Sequence, residues 1–168
     1  MSSQPDAQTY AITPSHFPAP TQTSSKQQIN GVETIATRTL FSDKILITVS
    51  QNGRLGHWTH TPLTLPSPDP TSTATSFSFA NPEDDEPSSD LLPNHNLTAT
   101  TILGSAAIPE LDVLAQTLAT QVASAIKSRD AREERTVVIG TGLDKSMTGA
   151  GATREMYSEL VGLVLEVL

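Results

Sequence analysis

Cysteine is absent from this 168-residue chain, which excludes a disulfide framework, a thiolate metal site and a cysteine nucleophile. Long apolar runs are missing as well; none reaches the roughly 18 residues that a membrane-spanning helix needs. Basic residues are scarce, 10 against 18 acidic ones, giving a formal net charge of −8 and a pI near 4.8. A chain of that sign repels nucleic acid and anionic lipid, so neither is expected as a main partner. The first basic residue is Lys26, and nothing before it has the apolar length of a signal peptide. Secretory and mitochondrial targeting are not expected, and the location expected is cytoplasmic, or also nuclear.

Apolar side chains are also thin in two whole segments. Residues 1–25 are mostly Ser, Gln, Thr, Pro and Ala, too polar to offset the entropy of ordering them. They are expected to form a disordered N-terminal tail. Residues 66–94 hold six prolines and the acidic run "PEDDEP", and are expected to form a flexible loop. What remains, 26–168 interrupted by that loop, is enough for one domain with one modest core.

What is present reads as strands followed by helices. "GVETIATRTLF" and "KILITVSQ" are rich in β-branched residues, with Ser42-Asp43 between them to turn the chain. Asn52-Gly53 supplies the pair of positive-φ residues that a type I′ hairpin needs, and "RLGHWTHT" follows as a third strand, stopped by Pro62. "NLTATTIL" at 96–103 and "RTVVIGT" at 135–141 read as further strands. From Pro109, a favourable first helical residue, a helix runs to Arg129. Leu111, Leu114, Leu118, Val122 and Ile126 form its apolar stripe, each contributing about 1.5–3 kcal/mol if buried. A closing helix spans about 152–168. Its polar side is narrow (Glu155, Glu159, Gly162 and Glu166), so it should pack on two sides, against the sheet and against either the first helix or a second chain. The fold class expected is α+β: an antiparallel β-meander with two main helices on one face, dimerising through its other side.

"VVIGTGLDKSMTGAG" is the stretch most like a catalytic motif, and it fails as one. A dinucleotide fingerprint requires G-x-G-x-x-G, but Lys145 stands where the third glycine belongs. A phosphate loop requires G-x-x-x-x-G-K-[ST]; here Asp144 precedes Lys145-Ser146, and the spacing is one short. No strand follows the closing helix, so the parallel return that both motifs need is missing. His57 and His60 sit three apart on a strand and point to opposite faces, so they cannot share a metal. No G-x-S-x-G elbow occurs. The chain is expected to be no enzyme and to use no cofactor. A nucleotide-dependent transferase built on Lys145 and Ser146 is the weakest of the readings considered.

The strand pattern points instead to a surface. With two-residue turns at 42–43 and 52–53, Ile45, Ile47 and Val49 share the helix-facing side with Trp58. The opposite side then carries Leu46, Thr48, Ser50, Leu55, His57 and Thr59, joined by Ile35, Thr37 and Thr39. The same register puts Arg38 among the helix-facing residues, an awkward place for a cation. A threonine-rich face with a few aliphatic residues has the composition of a protein interface. The residues expected to contact a partner are Thr37, Thr39, Leu46, Thr48, Leu55 and His57.

Several stretches, in order, resemble the proteasome assembly chaperone 3 family in a fungal form. They are "SKQ" and "NGV" near the start, "LFSDKILITVSQNGRLG" at 40–56, "TTILG" at 100–104, "LDKSM" at 143–147 and "REM" at 154–156. The resemblance implies a small α+β chaperone without an active site. It would act as a dimer, with itself or with the related proteasome assembly chaperone 4, and bind proteasome α-type subunits to promote α-ring assembly. The tail, the 66–94 loop and "TGAGAT" at 148–153 are longer than the family pattern. A rival reading is a roadblock- or longin-like dimeric scaffold for a small GTPase. Those scaffolds place a long helix between directly paired strands, whereas here a run of strands comes first.

Overall fold

The computed structural model describes residues 21–64, 96–104, 109–147 and 152–168. The 66–94 loop and most of the expected tail lie outside these. Six strands, β1 (Thr21–Ile29), β2 (Val32–Leu40), β3 (Lys44–Gln51), β4 (His57–Pro62), β5 (Thr100–Leu103) and β6 (Thr136–Gly142), form one sheet. Two helices, α1 (Pro109–Arg129) and α2 (Arg154–Glu166), complete the α+β fold. No helix among the described residues is long and apolar enough to cross a membrane.

The sheet opens on a hairpin in the segment whose polarity had argued against structure. Asn30 and Gly31 have φ of 50° and 75°, the left-handed pair a type I′ turn requires, and Ile29 faces Val32 across it. Residues 21–25, expected in the tail, therefore belong to edge strand β1. An edge strand with one side in water needs few apolar residues, and only Ile29 of the nine is buried. The next turn forms as expected: Phe41 N–H donates to the Lys44 carbonyl at 2.9 Å, and Leu40 faces Ile45.

The meander then breaks. Asn52 and Gly53 have the expected positive φ, 56° and 68°, but they do not join paired strands. The strand order is β1-β2-β3-β6-β4-β5. Strand β6 lies between the two arms, parallel to β3 and antiparallel to β4, so the sheet is mixed. Gly142 makes the crossing possible, because a Cβ there would stand 1.6 Å from the Arg54 carbonyl oxygen. Gly56 N–H donates to the Thr141 carbonyl at 3.0 Å and seats β4 on the far side of β6. β6, none of whose residues is exposed, thus takes a central position, where both of its edges are paired.

Both helices cover the same face, α1 over β4 and β6 and α2 over β1 and β2. Ile47, Val49, Val137 and Ile139 form the floor of the core, and all are essentially inaccessible. Helix α1 buries Leu118, Val122 and Ile126 as the stripe predicts, together with Ala115, Ala119 and Ala123. Leu111 and Leu114 remain half-buried. In α2, Thr153 caps the start by accepting from Met156 N–H at 3.3 Å. Its second apolar side meets α1, where Tyr157 Oη donates to Gln121 Oε1 at 2.8 Å, while Glu155, Glu159, Gly162 and Glu166 stay exposed. Arg38 does face the helices. Its guanidinium donates to the Leu168 carbonyl, just past the end of α2, and to Thr23 Oγ1 at 3.3 Å. A cation is favourable at that end of a helix.

Candidate interface on the open sheet face

Among the described residues, no helix lies on the opposite face. On it Thr37 pairs with Thr48 and Thr39 with Leu46, as the strand alternation predicts. The same row continues through Val138 and Gly140 of β6 into Trp58 and His60 of β4. Thr37, Thr39, Leu46, Thr48, Trp58, His60 and Val138 are all half-buried among the described residues.

Gly140 has a specific task here. A Cβ at this position would stand 2.8 Å from Trp58 Cζ3 and 2.9 Å from Cη2, so the indole lies directly on the glycine backbone. The two glycines of "VVIGTG" are thereby accounted for: Gly140 seats an aromatic ring and Gly142 admits a crossing chain. The "LDKSM" segment beyond them closes on itself, with Asp144 accepting from Ser146 N–H at 2.9 Å ahead of a 3₁₀ turn, Lys145–Met147. That backbone hydrogen bond holds the Asp144 carboxyl below its ordinary pKa.

Two of the expected contact residues lie elsewhere. Leu55 sits in the crossing segment between β3 and β4, 40% exposed and on no strand. His57 is on the helix side, where its Nε2 lies 3.1 Å from Asp112 Oδ1. That approach is near enough for an ionic contact but badly aligned for a hydrogen bond. Asp112 also accepts from Thr101, and Gln116 Nε2 donates to Thr101 Oγ1 at 3.0 Å. The parity of β4 was misread because it was counted across a hairpin from β3. The unpaired residues 54–56 and the inserted β6 reverse it. Trp58, expected among the helix contacts, therefore belongs to the open face.

Sequence reasoning also missed Val138 and the β5 edge. A bulge near Trp58 interrupts the β4–β5 register, and Ile102 and Leu103 are 58% and 62% exposed. Their exposure could be foreseen only with β5 known to be the last strand. Charge on the face is confined to its margins. Glu33 is the only carboxylate on any of the six strands, and it lies 3.6 Å from Lys26 Nζ. Among the described residues no cluster of His, Asp or Glu has the makings of a metal site.

No protein-family model matches the chain, and no curated protein matches it in sequence. Its fold is similar to that of a chain in the crystal structure of a chaperone complex for yeast 20S proteasome assembly, with a TM-score of 0.50. The superposition covers 88% of this chain and 98% of that one, at 14% identity. At that identity the likeness is one of fold.

Proposed function

We propose that this chain is a non-catalytic chaperone of proteasome assembly that works as a dimer through its open sheet face. Proteasome α-type subunits would be its cargo, bound to promote assembly of the α-ring. The observation that carries the reading is a sheet whose described helices cover one side, while the other combines Trp58, Leu46 and Val138 with threonines and has Glu33 as the one carboxylate on its strands. The fold likeness and the ordered sequence resemblance both support it.

Electrostatics favours that face over the rest of the surface. Two copies of a protein of charge −8 repel each other, and desolvating carboxylates at a contact would add several kcal/mol. The open face avoids the desolvation cost and adds little local repulsion, since its carboxylate lies at the margin beside Lys26. Six strands about 4.8 Å apart and about 20 Å long present roughly 500 Å². This flat outline, β5 included, is below the roughly 800 Å² per partner of a standard interface, and projecting side chains such as the exposed Ile102 add to it. The occupant would be a second copy or the related proteasome assembly chaperone 4, the pairings that the sequence resemblance implies.

The test is Leu46→Glu. It puts a carboxylate in the middle of the face and leaves the core untouched. Light scattering should report a monomer, with helix content and Tm close to the parent's, and the variant should no longer capture α-type subunits from co-expression. A dimer that persists with its affinity intact removes this face from consideration.

A further inference from the structure

Asn-Gly occurs twice in the chain, at Asn30-Gly31 and Asn52-Gly53, and all four residues are exposed with positive φ. This dipeptide is prone to spontaneous ring closure, because no glycine side chain blocks the approach of its nitrogen to the asparagine carboxamide. Neither glycine has anything within 4 Å of the place a Cβ would take, so the two sites are equally unhindered. They differ in what holds the backbone.

Ring closure needs the asparagine ψ to rotate far from its left-handed value, so the turn must open before it reacts. The rate then follows the population of the opened turn. At Asn30 a hairpin clamps the turn. Ile29 pairs with Val32 directly across it, the pairing runs on to Thr21 and Leu40, and Ile29 is fully buried. At Asn52 the arms part, since β3 pairs with β6 and the chain crosses to β4 through residues 54–56, which belong to no strand. Across this turn Arg54 N–H reaches the Gln51 carbonyl at 3.4 Å, well beyond the usual length of about 2.9–3.0 Å. The flanks are fixed independently of it. Gln51 Oε1 accepts from Asp144 N–H at 2.7 Å and its Nε2 donates to Thr34 Oγ1 at 2.9 Å, while Gly56 N–H donates to the Thr141 carbonyl. Opening at 52–55 therefore disturbs little else.

We propose that Asn52 is a site of spontaneous deamidation in the folded protein, and that the hairpin protects Asn30. The Gly53 nitrogen gives its proton to solvent and attacks Cγ of Asn52. The Cγ–Nδ2 bond breaks, the departing nitrogen regains a proton and leaves as ammonia, and a five-membered succinimide remains. One water then opens the ring at either carbonyl, giving aspartate or isoaspartate. Either product adds a carboxylate to the lining of a cleft of about 590 Å³ that Asn52 shares with Arg54, His57, Leu111 and Leu143. Isoaspartate also lengthens the backbone by one atom. The crossing has no slack to absorb it, because the Arg54 carbonyl lies so close to Gly142 that a Cβ there would stand 1.6 Å away. The strain falls on the hydrogen bond from Gly56 to Thr141.

The experiment ages the full-length protein in mildly alkaline buffer, digests it with trypsin and follows deamidation by mass. Cleavage after Lys26, Arg38, Lys44 and Arg54 puts the two asparagines on separate peptides, 27–38 and 45–54. In the folded protein 45–54 should convert about tenfold faster than 27–38, the factor given by about 1.4 kcal/mol of difference in opening. In denaturant the two should convert at similar rates. Asn52→Gln should abolish the conversion of 45–54, since a side chain one methylene longer closes the ring poorly. In the purified isoaspartyl form the Gly56 amide should exchange with deuterium faster than in fresh protein. The proposal is overturned if 27–38 keeps pace with 45–54 in the folded protein, or if 45–54 stays intact while the denatured chain converts. It also fails if the same gap persists in denaturant, or if Asn52→Gln changes nothing. Unaltered exchange at Gly56 removes the strain assigned to the crossing.

Discussion

Substituting Gly140 by alanine tests whether the Trp58 seat shapes an interface or merely fills space. The added methyl would stand 2.8, 2.9 and 3.0 Å from three carbons of the indole, whereas an ordinary carbon contact is about 3.5–4.0 Å. The ring must therefore lift by up to about 1 Å. Overpacking of this kind costs about 1–3 kcal/mol in a closed core, but Trp58 is open on one side and can tilt away. Alanine in place of a strand glycine returns about 0.5–1 kcal/mol. The folded monomer should thus lose no more than about 1–2 kcal/mol. Association should suffer more, since a displaced aromatic anchor at the centre of an interface typically costs at least about 1.4 kcal/mol, or tenfold in Kd. Trp58 is the only tryptophan in the chain, so its emission reports on the site directly. A dilution series should show the parent's emission shifting to the red as the dimer dissociates. The same transition in Gly140→Ala should occur at about tenfold higher concentration. Equal transitions in the two proteins, or Trp58 emission already that of an exposed indole at high concentration, would refute the reasoning.

Beneath α1 the hydroxyls of Thr59 and Thr61 are buried without a partner, so valine at either position should stabilise the protein by about 1 kcal/mol; a fall in denaturant midpoint for both variants contradicts this. The Arg135 guanidinium beside Glu133 holds that carboxyl at about 2, against an ordinary 4.5. Its stabilisation is complete above pH 4.5 and lost as the pH falls through about 2. Arg135 also donates to the Phe41 carbonyl at 3.0 Å, so the turn before β6 stays partly tied. Thermal melts of the parent and Arg135→Gln should differ by about 1 kcal/mol at neutral pH, and the gap should narrow between pH 4.5 and 2 to the share due to the Phe41 contact. Burial pushes the Tyr157 phenol up to about 12. The unfolded chain ionises first, so this group weakens the fold as the pH rises from about 10 to 12 and has no effect below. Absorbance titration of folded protein should show a late phenolate step that Tyr157→Phe removes.

Local patterns survived wherever the information they needed was itself local. The β2–β3 turn at Ser42-Asp43, the α1 boundaries and the polar side of α2 all follow from residues a few positions apart, because alternation and helical periodicity act over that range. On that basis Thr37, Thr39, Leu46 and Thr48 were placed together correctly. Asn52-Gly53 shows where this stops. Its dihedral angles are those expected of a hairpin, yet the arms splay apart. Whether they pair depends on β6, a strand roughly 80 residues further on that competes for the same edges. His57 and Trp58 exchanged faces for this reason alone.

β1 was lost for the converse reason. Its nine residues are too polar to announce a strand, and they are ordered by the hairpin at Asn30-Gly31, by β2, and by contacts such as Ser25 Oγ to Glu166 at 2.7 Å. Composition and periodicity alone determined that this chain makes an α+β core with helices on one side. Only the tertiary structure decided which strands are neighbours, and with that what occupies the bare face and where a cleft opens. Strand order depends on long-range competition for backbone edges, and no window of neighbouring residues contains that information.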